Sequence, residues 1–97
     1  MKETELVAEL FEEFATEYEP GRVRSEFKLS ADSRPDIVVL DDSGDPFFIV
    51  EVKSHSDGES QRLSFNQLRR YQSQSAPDYL GFFTKDVRYV YQQKEFD

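Results

Sequence analysis

The chain has 97 residues, with 20 Asp or Glu against 12 Lys or Arg, for a net charge of −8. It contains no cysteine, which excludes a disulfide framework and a Cys-based zinc site. No apolar run approaches the roughly 20 residues of a membrane helix.

One domain is expected over residues 1–97. A domain of this size buries roughly 60–65% of the surface that its unfolded chain exposes, so it can fold alone and a partner chain would help. The start "MKETEL" lacks the apolar core of a signal peptide, and a cytoplasmic location is expected. The acidic balance, taken alone, argues against nucleic-acid binding, because phosphate attracts basic surfaces. Two readings soften that objection. The acids can face away from the site, or they can form a halophilic-like acidic surface that serves solubility.

In chain order, residues 2–18 read as a helix. Leu6, Val7, Leu10, Phe11, Phe14 and Tyr18 recur at three- and four-residue steps and make one apolar stripe. Pro20-Gly21 stops it. Residues 22–28 are predicted as a first strand, with Val23 and Phe27 as its apolar members, and "SADSRP" as a loop. Residues 36–40 are rich in β-branched side chains and predict a strand. "DDSGDP" predicts a turn: Gly44 can take positive φ and Pro46 blocks continuation. Residues 47–52 are largely apolar and predict a central strand. Residues 55–61 read as a polar loop and 62–74 as a second helix. Two last strands are expected at 79–84 and 87–91, with a tight turn at Lys85-Asp86. The order is α-β-β-β-α-β-β, an α/β fold with a mixed central sheet and helices on its faces.

Three charges interrupt this pattern. Asp36 opens one apolar run, and Glu51 and Lys53 close the next. Such charges are costly in a buried strand unless paired or bound to a metal. Folding the hairpin about Ser43-Gly44 sets Asp36 opposite Glu51. Side chains alternate along a strand, so Glu51 and Lys53 project to one face and Val52 to the other. Two carboxylates, the Val52 carbonyl and an ammonium then share a small volume. Oxygen donors suit Mg²⁺ or Mn²⁺, and such an ion polarises a phosphodiester and lowers the pKa of a coordinated water. A nearby lysine can orient that water or neutralise charge on the phosphate. The bland alternative is a salt bridge between Lys53 and one of the acids.

The stretch "RPDIVVLDDSGDPFFIVEVKSH" resembles the PD-(D/E)xK nuclease superfamily, whose restriction-endonuclease-like core has an α-β-β-β-α-β arrangement. The resemblance implies a metal-dependent endodeoxyribonuclease. It implies Asp36, Glu51 and the Val52 carbonyl as metal ligands for Mg²⁺ or Mn²⁺, and Lys53 as the catalytic lysine. An acidic residue on the first helix joins the metal site in many members. Glu3, on the apolar side of the helical wheel, is the candidate here, ahead of Glu5, although acids favour the first turn of any helix. "ETELVAEL" is also similar to the start of archaeal Holliday-junction resolvases.

Gln67 and Tyr71 are four apart and share a helix face. "QLRRY" resembles the Q-x-x-x-Y motif that follows ExK in RecB-like nucleases and in the N-terminal nuclease domains of type I restriction motor subunits, where both residues are associated with the active site and the DNA backbone. That restriction-type domain is the nearest resemblance. It implies DNA as a partner, and either a homodimer or a domain working with helicase or other subunits. The bland alternative makes Tyr71 a core aromatic and Gln67 a surface residue.

Arg22, Arg24, Arg34, Arg62, Arg69, Arg70, Lys85 and Arg88 are candidates for phosphate contacts around a cleft, or for solvated faces. His55, the single histidine, reads as a surface residue before it reads as a proton shuttle. Phe47, Phe48, Phe82 and Phe83 lie inside strand runs and read as core. The rival from another class is a module that keeps the fold and binds DNA or protein without cutting.

Overall fold

The computed structural model describes residues 2–54 and 58–96. Helix α1 spans Glu3–Glu17, and a 3-10 turn follows at Pro20–Arg22. Strands β1 (Val23–Ser25), β2 (Ile37–Leu40) and β3 (Pro46–Val52) lead to helix α2 (Gly58–Ser75). Strands β4 (Tyr79–Phe83) and β5 (Arg88–Gln92) and a second 3-10 turn (Gln93–Phe96) complete the chain. The five strands lie in sequence order in one sheet, with β3 in the middle as its apolar run predicts. Every neighbouring pair is antiparallel except β3 and β4. A parallel pair needs a long crossover, and α2 is that crossover.

Alternation along the strands sends apolar side chains to both faces. On one face Val23, Ile37, Val39, Phe48, Val50, Val52 and Phe83 pack with Leu6, Leu10 and Phe14 of α1. On the other, Val38, Leu40, Ile49, Leu80 and Phe82 pack with Leu68 and Tyr71 of α2. Phe48, Phe82 and Phe83 are buried and Phe47 is half-buried, so the strand phenylalanines are core. Gly81 leaves no room for a side chain: a Cβ there would lie 2.8 Å from the Phe83 ring and 3.1 Å from that of Phe48. Gly44, at φ +83°, supplies the backbone freedom that the β2–β3 turn requires.

Most boundaries differ from expectation by a residue, and two differ by more. β1 ends at Ser25 rather than residue 28, because Glu26 takes φ 53° and leaves the extended region. Helix α2 starts at Gly58 rather than residue 62; its first turn, "GESQ", has no apolar residue to start a periodic pattern. β4 stops one residue short and β5 is displaced by one. There Thr84 accepts the Val87 N–H on its side chain and donates its own N–H to the Val87 carbonyl, closing the turn. Neither 3-10 turn was anticipated, since such short segments carry no periodic signal. Among the described residues, no helix is long and apolar enough to cross a membrane.

Candidate active site

The β2–β3 register pairs Ile37 with Val50 and Val38 with Ile49. One step outward sets Asp36 across from Glu51, as the hairpin reading predicts. One oxygen of Asp36 accepts the Val52 N–H at 2.8 Å. This bond does what a further ladder bond would do, and it fixes the carboxylate at the mouth of the hairpin. A strand residue presents its N–H and C=O toward the same neighbouring strand, so the Val52 carbonyl lies on the Asp36 side as well. The next residue turns the other way: the Lys53 N–H donates to the Phe83 carbonyl of β4.

Glu51 follows Ile49 onto the α2 face and is buried, 8% exposed. Tyr71 on α2 donates its hydroxyl to a Glu51 oxygen at 2.9 Å, and the Lys53 ammonium stands 3.5 Å from the other. Burial, and then the charge of Asp36, push the Glu51 carboxyl up to about 7. Burial raises Asp36 as well, against the pull of its bond to Val52. The two carboxyls lie within hydrogen-bonding reach, and that contact raises Glu51 while lowering Asp36. Burial and the neighbouring Glu51 keep the Tyr71 hydroxyl protonated, and Gln67 contacts that hydroxyl from the preceding turn.

Asp36, Glu51, Lys53, Gln67 and Tyr71 therefore come together. Tyr71 fits both of its readings, with its ring in the core and its hydroxyl on the buried acid. Lys53 does pair with Glu51, as the salt-bridge alternative holds, but within a cluster that has a second acid. Glu3 reaches the site from α1: it accepts the Ser54 N–H at 3.2 Å and adds negative charge beside Asp36. Among the described residues no three carboxylate or imidazole side chains form a ready-made metal cage. The side-chain donors at the centre are two carboxylates.

The cations divide clearly. Arg22 binds the Leu40 carbonyl and pairs with Asp42. Arg88 makes a two-pronged pair with Glu13 above the Phe83 ring. Arg69 lies over Phe65, 5.6 Å from the ring centre. Arg70, by contrast, lines a cavity of about 400 Å³ with Glu51, Lys53, Leu63, Asn66 and Gln67. Arg24, Arg34, Arg62 and Lys85 are exposed. His55 lies outside the described residues. Asn66 was not anticipated as part of the site, although its three-residue step from Leu63 and four-residue step to Arg70 put it on their helix face.

A search of curated proteins found no match to this chain. The family model for the N terminus of the type I restriction enzyme R protein does match, over residues 4–95. That span includes the hairpin, both carboxylates of the pair, α2 and all of α1 except Glu3, and the chain belongs to this restriction-enzyme family.

Proposed function

We propose that this chain is a metal-dependent deoxyribonuclease of the PD-(D/E)xK kind, hydrolysing DNA phosphodiester bonds. The observation that carries the proposal is the meeting of half-buried Asp36 with buried Glu51, and of Lys53 with Glu51 at 3.5 Å. Two acids held this close carry a repulsion that a divalent cation would relieve when bound. Two carboxylates and a backbone carbonyl are hard oxygen donors, and they leave room for the waters that Mg²⁺ and Mn²⁺ retain. The residues fit such an ion: Asp36, Glu51 and the Val52 carbonyl would hold it, with Glu3 adding charge from α1. When bound, the ion supplies Lewis acidity toward the phosphodiester and a lower pKa for its water.

The protein's own groups do the rest. The Val52 N–H holds Asp36 in one orientation, and Tyr71, contacted by Gln67, does the same for Glu51. Lys53 keeps a positive charge beside the reacting phosphate, orienting the attacking water or offsetting the negative charge that develops. A homodimer would address both strands of a duplex, and association with helicase or other subunits is the alternative assembly. A junction resolvase is the second enzyme reading.

Supercoiled plasmid incubated with the protein in Mg²⁺, in Mn²⁺ and in chelator, over a range of salt, tests the proposal. Cleavage is expected only with metal, and Lys53→Ala should reduce it by about 10²-fold or more. Wild type and Asp36→Ala that both bind DNA and are equally inert would establish the non-catalytic module instead.

A further inference from the structure

The acid pair has an open space on each side, and the two spaces differ in chemistry. Toward α1, a cavity of about 260 Å³ is lined by Glu3, Thr4, Val7, Ser25, Glu26 and Asp36. Its charged walls are all acidic. Toward α2 lies the larger cavity of about 400 Å³, whose walls include Lys53 and Arg70 beside Glu51. The first borders Asp36 and the second Glu51, so a polyanionic strand reaching the pair has two approaches and only one with positive charge.

The α2 wall is ordered along the helix. Residues 63, 66, 67 and 70 follow the three- and four-residue steps of a single stripe. Leu63 is 56% exposed, whereas Leu68 and Tyr71 of the same helix are buried. Asn66 offers donors and an acceptor, and Gln67 already touches Tyr71. Arg70 ends the stripe. Unlike Arg22 and Arg88, its guanidinium has no acidic partner among the described residues, and unlike Arg69 it is not stacked on a ring.

We propose that this stripe is the rail on which the substrate strand lies, with Arg70 binding a backbone phosphate beside the one that is cut. Leu63 covers the apolar face of a sugar or base, and Asn66 contacts the backbone between them. The α1 cavity repels phosphate and stays open to water. The inference deepens the nuclease reading and rests on it. It also gives a chain of net charge −8 one face suited to DNA, because Lys53 and Arg70 lie on the same wall.

The test is binding of a fluorescein-labelled DNA oligonucleotide, followed by anisotropy across a salt series in chelator, alongside cleavage kinetics in Mg²⁺. Each phosphate contact contributes about 0.7–0.9 to the slope of log K against log salt. Arg70→Ala should lower the slope by about that amount and weaken binding several-fold. It should raise KM more than it lowers kcat. Arg70→Lys should recover most of the slope. Arg69→Ala should leave the slope unchanged. Glu26→Gln, in the opposite cavity, should change it less than Arg70→Ala does. A wild type that binds and cuts DNA, with Arg70→Ala unchanged in slope and KM, overturns the rail while leaving the nuclease intact. A wild type that binds but does not cut, with the slope still falling in Arg70→Ala, keeps the rail and removes the nuclease. A wild type that neither binds nor cuts overturns both.

Discussion

The two faces of the sheet are built to different ends. The α1 face is an aromatic and aliphatic layer in which Phe14 meets Phe48 edge-on at 5.6 Å and Phe83 at 5.9 Å. Among the described residues, no acid lies in its core. The α2 face has comparable apolar residues in Ile49, Leu68, Leu80 and Phe82, yet it also holds Glu51 with a tyrosine hydroxyl and an ammonium around it. A buried acid lowers stability unless a partner offsets its desolvation. The first face stabilises the fold, and the second gives up part of that stability to hold a buried charged cluster.

Truncation of the α1 layer is expected to have the largest effect. Phe14→Ala removes a buried ring with three aromatic neighbours and should cost about 3–5 kcal/mol. Urea denaturation reads this as a fall in midpoint at constant slope. A loss below about 1 kcal/mol would show that α1 is loosely attached.

On the α2 face a substitution should act in the opposite direction. Glu51→Gln keeps the acceptor for Tyr71 and removes the buried charge, so the metal-free protein should melt several degrees higher while plasmid cleavage is lost. The pH dependence follows from the same group. The folded carboxyl titrates near 7 against an ordinary value of 4.5. Between those values the folded state holds the extra proton, so stability falls as pH rises through that window. Glu51→Gln should flatten that slope, and an unchanged pH profile would mean that Glu51 is not the group responsible.

The smallest effect belongs to the surface. The hydrogen bond to Arg88 holds Glu13 below its ordinary pKa, so the pair contributes above that value and is lost as pH falls through the lowered one. Both side chains are about half-exposed, and solvent screening limits the contribution to less than about 1 kcal/mol. A double-mutant cycle with Glu13→Gln and Arg88→Gln, at low and high salt, should show a small coupling that salt removes.

The site's hairpin was legible because two rules suffice for it. Strand alternation places Glu51 and Lys53 together, and the DDSGDP turn sets Asp36 opposite Glu51. Gln67 and Tyr71 were legible as a helical pair for the same kind of reason. Contacts between distant elements were not. Nothing in the spacing of Glu3 and Ser54 forecasts that one accepts the other's N–H, and no local pattern shows Tyr71 reaching Glu51 across the α2–β3 packing. β1 was overextended because a left-handed Glu26 leaves no trace in a hydropathy pattern.

The hairpin also shows where this protein can be enlarged. Between Val39 and Leu40 the pairing with β3 skips a residue, and beyond that irregularity the turn is tied locally, with Asp41 accepting the Ser43 and Asp45 N–H groups. The acid pair stands at the opposite end, about 15 Å away at strand rise. Extra residues spliced in at Ser43-Gly44 would thus be absorbed by the loop before they could shift the register that sets Glu51 beside Asp36, which makes this tip a natural port for a fluorophore or an affinity handle.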